Sequence, residues 1–125
     1  IVTVSAKSLT AEHLEAAGVD PATPVVGTED GREFSRVLLG DEAELDVAAA
    51  ERDIIDAGDR LKSRHPELGA VVLECTNMPP YARALSEHLG FPVFDIVSFI
   101  TWFQAGLRPR DFGHPGSAAR TWRER

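Results

Sequence analysis

Short apolar runs and segments of helical periodicity alternate along this chain. Residues 1–4 form a nearly unbroken apolar run, the pattern of a strand covered on both faces. Thr10 then stands where a helix N-cap belongs, with Glu12 in the first turn, where the helix dipole favours negative charge. Leu9 and Leu14 occupy the two positions of a hydrophobic staple, and Gly18 follows Ala16 and Ala17 as a helix stop. Pro24-Val25-Val26-Gly27 reads as a second short strand. Acidic residues crowd 28–45, a stretch broken by Gly31 and Gly40, and a short helix is expected over 32–39. Val47, Ala50, Ile54, Ala57 and Leu61 then fall on one helical stripe. Asp46 can cap that helix, Arg60, Lys62 and Arg64 suit its last turns, and Pro66 ends it.

Ala70-Val71-Val72-Leu73 is the clearest strand. It runs through Glu74, Cys75, Thr76 and Asn77 into Pro79-Pro80, residues tolerated in the first turn of a helix. Ala82, Leu85 and Leu89 share one face of that helix, which stops at Gly90. Pro92-Val93-Phe94 is a fourth strand, and Asp95 or Ser98 caps a last helix reaching Leu107. Strands alternating with helices predict an α/β domain over 1–107: a four-stranded, mostly parallel sheet with flanking helices, flavodoxin- or Rossmann-like. Pro109, Gly113, Pro115 and Gly116 mark 108–125 as a tail expected to fray. The last helix carries Phe99, Ile100, Trp102 and Phe103 within five positions, around most of its circumference. Such a helix is expected to be covered from two directions, by a second copy or by a second domain.

The 125 residues and 13.6 kDa suit a single core. Hydrophobic residues at 43% and charged residues at 26% exclude a disordered tail, a collagen-like fibre and a disulfide scaffold. No run of about 18 apolar residues predicts a membrane-spanning helix. The start has no basic segment and no small-residue cleavage site, so a signal peptide is not expected in it. It lacks an initiator Met and lies inside an apolar run, as expected of a cut or processed start. The net charge is −7, divided as −10 over 1–107 and +3 over 108–125. An acidic body holds phosphate backbones poorly, so nucleic acid is not an expected partner. A single cysteine excludes an internal disulfide and favours a reducing, cytoplasmic location.

Cys75 carries the candidate chemistry. It lies just beyond a buried strand and before a helix, where open α/β sheets bind ligands. A helix N-terminus lowers a thiol below its usual pKa of ~8.5, which predicts a reactive thiolate. The turn's N–H groups, with the side chains of Thr76 and Asn77, can hold a carboxylate or an oxyanion. The plainer alternatives stay open: Cys75 as packing, Thr76 and Asn77 as caps, Glu74 as a solvated or paired side chain rather than a general base. A phosphatase loop fails, since Tyr81 stands where its arginine belongs and Arg83 comes too late. His13, His65, His88 and His114 show no metal-ligand spacing, and neither a P-loop nor GxGxxG is present. Neither a metal nor a nucleotide has support from these motifs.

The run Leu73-Glu74-Cys75-Thr76-Asn77-Met78-Pro79-Pro80, followed by Pro92-Val93-Phe94-Asp95, resembles the second cysteine motif of the aspartate/glutamate/hydantoin racemase superfamily. The opening strand with Ser5 and Ser8 is similar to the start of that family's second half, and the likeness spans about residues 1–107. The resemblance implies two facing α/β halves, each giving one cysteine, with one thiolate taking the α-proton and the opposite thiol returning one. It implies a cofactor-independent amino-acid racemase in which Cys75 is the second-face acid/base. Thr76 would then bind the carboxylate of a small substrate, Asn77 would cap the helix and touch the ligand, and Ser5 would line the site. Asp95 would be a helix cap. With one cysteine only, the chain would be the C-terminal half of such an enzyme, completed by a second half or a homo-oligomeric partner. Within the family, a single-cysteine decarboxylase or a maleate-type cis–trans isomerase is the alternative. Outside it, the alternative is a flavodoxin-like binding module with an inert Cys75.

Overall fold

The computed structural model describes residues 1–113. The elements follow in the order β1 (Val2–Thr3), α1 (Ala11–Ala16), β2 (Val26–Gly27), α2 (Phe34–Leu39), α3 (Val47–Arg64), β3 (Val71–Val72), α4 (Ala82–Leu89), β4 (Val93–Phe94) and α5 (Ile96–Leu107). A single 3₁₀ turn, Pro79–Tyr81, precedes α4.

The strands correct the expected architecture. They form two separate two-stranded parallel sheets, β1 with β2 and β3 with β4, and not one four-stranded flavodoxin-like sheet. Val2 pairs with Val26 and Thr3 with Gly27, while Val71 pairs with Val93 and Val72 with Phe94. The sheets meet at one isolated parallel bridge, Val2 to Leu73, where the Glu74 N–H donates to the Val2 carbonyl at 2.9 Å. Short strands are the physical reason. Pro92, directly before β4, offers no N–H to extend that strand backward. Asp95 caps α5 directly after Phe94, so β4 ends after two residues.

The core lies between these strands and the helices α2, α3 and α4. Val2, Phe34, Ile54, Leu61, Met78 and Leu85 are fully buried in it. The α3 stripe is buried at Ala50, Ile54, Ala57 and Leu61, whereas Val47, in the first turn, is exposed. Gly58 allows α3 and α4 to approach closely, since a Cβ there would come within 2.5 Å of Leu85 Cδ1. Phe34 and Tyr81 meet edge to face, with ring centroids 5.9 Å apart.

Caps set the ends. Asp46 Oδ1 accepts from the Ala49 N–H at 3.0 Å. Of the two caps expected for the last helix, Asp95 holds the N-cap, accepting from the Ser98 N–H at 2.7 Å. Gly90 closes α4 at φ +79°, a left-handed conformation that glycine adopts without strain. The expected helix over 32–39 is shorter, Phe34–Leu39. α5 buries none of its residues, so its apolar surface stands open all round. Of the predicted tail, residues 108–113 are exposed, and 114–125, with His114, Pro115 and Gly116, lie outside the described residues. Among the described residues no helix is long and apolar enough to cross a membrane.

Candidate active site

Parallel strands deliver their C-terminal ends to the same edge. Because β1 and β3 are bridged at Val2 and Leu73, the segments after Thr3 and after Leu73 emerge side by side. The buried Thr3 hydroxyl donates to Glu74 Oε2 at 2.7 Å, which ties the two segments together. Glu74 is thus a paired carboxylate. Beside it opens a cleft of about 210 Å³ lined by Thr3, Val4, Ser5, Ser8, His13 and Glu74. Ser5 is buried at its wall. Its carbonyl accepts the N–H groups of Ser8 (3.2 Å) and Leu9 (3.3 Å), and its hydroxyl accepts from the Ser8 hydroxyl at 3.2 Å.

Cys75 is half-buried and packs against the edge of the core. Its carbonyl accepts the Met78 N–H at 3.0 Å, closing the turn that carries Thr76 and Asn77. Burial pushes the thiol pKa up, and the Glu74 charge adds to that; the Asn77 backbone N–H, hydrogen-bonded to the sulfur, pulls the other way without winning. This corrects the expectation of a lowered pKa. The α-helix begins only at Ala82, beyond the 3₁₀ turn. A helix dipole acts within about one turn of its end, so it does not offset the desolvation.

Thr76 and Asn77 are exposed. The 3₁₀ turn and α4 both start without a side-chain cap bond, so Asn77 serves the turn through its backbone N–H. Cys75, Thr76 and Asn77 share one turn, and Ser5 stands on the neighbouring strand end.

Sequence reasoning missed a buried polar layer behind these ends. Asp53 accepts three backbone N–H groups, from Arg32 (3.1 Å), Glu33 (2.7 Å) and Phe34 (2.9 Å). The Ser35 hydroxyl donates to the Val4 carbonyl at 2.7 Å and lies 2.8 Å from the Thr28 hydroxyl. The signal for Asp53 was present: an acid between Ala50 and Ile54, on the apolar face of α3. Among the described histidines, His13 and His88 are exposed and His65 is partly exposed. His13 bonds to the Thr10 N–H through Nδ1 at 3.2 Å, His65 lies 3.3 Å from Glu67, and His88 lies 2.9 Å from Asp59. Among the described residues no group of three His, Cys, Asp or Glu is placed to hold a metal ion.

No family model matches the chain, and no solved structure matches it. Curated relatives do. The chain is 37% identical over 76 residues, 61% of its length, to "Dimethylsulfoniopropionate lyase 5" of Emiliania huxleyi (strain CCMP1516), covering 15% of that protein. It is 28% identical over 83 residues, 66% of its length, to "Dimethylsulfoniopropionate lyase" of Durusdinium sp. clade D, covering 27% of it. It is 31% identical over 99 residues, 72% of its length, to "Dimethylsulfoniopropionate lyase 7" of Emiliania huxleyi (strain CCMP1516), covering 28% of it. The chain thus spans between 15% and 28% of the length of these relatives. They correct the racemase expectation. The proteins that match carry the name of a lyase, and the racemase, decarboxylase and isomerase readings find no support among them. What this chain is similar to is a stretch of enzymes named dimethylsulfoniopropionate lyases.

Proposed function

We propose that the chain serves a lyase reaction on dimethylsulfoniopropionate, with Cys75 as the base. The observation that carries this reading is the similarity, over 61% to 72% of the chain, to lyases named for that substrate. The substrate holds a carboxylate and, on the carbon two bonds away from it, a dimethylsulfonium group. That arrangement is built for elimination. A base takes a proton from the carbon beside the carboxylate, and the C–H electrons become the new C=C bond. The C–S bond then breaks with its electron pair going to sulfur. The products are dimethyl sulfide, acrylate and a protonated base. No redox partner is needed to balance the step.

Cys75 suits the base's role because its raised proton affinity makes a stronger base of the thiolate, although fewer molecules carry it at neutral pH. The Asn77 N–H steadies the thiolate that is present. In this reading Thr76, exposed on the same turn, receives the substrate carboxylate through its hydroxyl and N–H, and Ser5 lines the cleft beside Glu74.

The test is direct. The purified chain is incubated with dimethylsulfoniopropionate, and dimethyl sulfide in the headspace and acrylate in solution are measured together. Equal amounts of both are expected. Cys75→Ala should lower the rate by about 10²-fold or more, with an unchanged circular-dichroism spectrum. Release by Cys75→Ala at the wild-type rate removes Cys75 from the reaction. Absence of release by the wild-type chain contradicts the lyase reading.

A further inference from the structure

β4 runs parallel to β3, and Phe94 stands in register with Val72, its carbonyl accepting the Leu73 N–H at 2.8 Å. The segments after Phe94 and after Leu73 therefore leave from the same end of the pair, one into α5 and the other into the Cys75 turn. At that end lies a cleft of about 450 Å³ lined by Phe94, Asp95, Ser98, Phe99 and Trp102. Ser98, Phe99 and Trp102 share one face of α5, at helical spacings of one, three and four. The Phe99 and Trp102 ring centroids are 6.2 Å apart. Trp102 is 72% exposed and Phe99 57%, so the rings present their surfaces outward. Among the described residues, Asp95 is the one ionisable group in the lining, and its carboxylate accepts the Ser98 N–H at 2.7 Å.

We propose that this cleft is a seat for a methylated cation, a sulfonium or a quaternary ammonium, with Asp95 as its counter-charge. Two physical arguments choose this occupant. Aromatic faces attract a diffuse, weakly hydrated cation through their quadrupoles, tryptophan most strongly. An apolar protein surface seated on the same cleft would bury the Asp95 carboxylate with no cation to balance it, only the Ser98 N–H, which is costly. A methylated cation satisfies the rings and the carboxylate together.

The inference deepens the lyase reading and rests on it for the identity of the natural ligand. In that setting the seat holds the dimethylsulfonio group while the turn at Cys75 receives the carboxylate end. The seat favours substrate over product, because dimethyl sulfide leaves without the charge. An interaction that fades as the C–S bond breaks acts on the ground state, so its loss raises KM and does not lower kcat.

The binding test needs no turnover. The full chain is titrated with trimethylsulfonium while the indole N–H resonance of Trp102 is followed by NMR. Tert-butanol, neutral and similar in size, is the control. A saturable shift with trimethylsulfonium alone is expected. Asp95→Asn keeps a residue that caps helices well and removes the charge, and should weaken the binding about tenfold. No shift, an equal shift with tert-butanol, or unchanged binding in Asp95→Asn overturns the seat. With dimethylsulfoniopropionate, Trp102→Ala should raise KM about tenfold. The two readings fail separately. Trimethylsulfonium bound without release of dimethyl sulfide leaves the seat standing and removes the lyase. Release with an unchanged KM in Trp102→Ala does the reverse.

Discussion

At the scale of single residues, the Cys75 environment contains opposed influences of unequal size. Burial and the Glu74 charge both disfavour the thiolate, and one N–H from Asn77 favours it. Position in the sequence marked the residue, since a lone cysteine between a strand and a proline-led turn is easily seen. Its acidity was not legible, because desolvation depends on packing that no spacing reveals. The thiol should therefore alkylate with iodoacetamide along a curve whose midpoint lies above ~8.5, the ordinary thiol value. Glu74→Gln removes a repulsive charge and should move that midpoint down. A midpoint below the ordinary value, or an upward move in Glu74→Gln, would contradict the account. Thr76 and Asn77 were equally visible in the sequence, whereas the Thr3–Glu74 bond joins residues 71 positions apart and had no local signal.

At the scale of elements, the helices were legible where one face repeats and illegible where a distant side chain sets the end. The α3 stripe is such a repeat, and Asp46 caps the helix as expected. The start of α2 is the opposite case: Asp53 on α3 accepts its first N–H groups, and a Cβ at Gly31 would run into that carboxylate. Hydrogen bonds to a buried charged acceptor are worth ~1.5–3 kcal/mol each, though they do not add fully. Asp53→Ala should cost about 3 kcal/mol in urea unfolding, and Asp53→Asn, which keeps one accepting oxygen, about half of that. A loss under about 0.5 kcal/mol, the size of an ordinary surface substitution, would mean that α2 is anchored elsewhere. The all-round apolar character of α5 was also legible, and the structure leaves it uncovered.

At the scale of the whole molecule, the sequence located each strand of the described residues but not how the strands join. A run such as Ala70-Val71-Val72-Leu73 has the composition of a buried strand, yet only Val71–Val72 carries the ladder. The two sheets touch through a single bridge, and cross-strand bonding of that kind depends on where the chain turns away. Even so, the bridge is enough to bring Ser5, Glu74 and Cys75 to one edge, with β4 and the aromatic cleft beside them. The central claim is that the Cys75 thiolate takes the proton that starts the elimination. The pH dependence of dimethyl sulfide release measures it most directly. The account predicts a rate that rises with pH through one titration, its midpoint coinciding with that of Cys75 alkylation and falling with it in Glu74→Gln. A rate flat across that range, or one that keeps its midpoint when Glu74→Gln shifts the thiol, would contradict it.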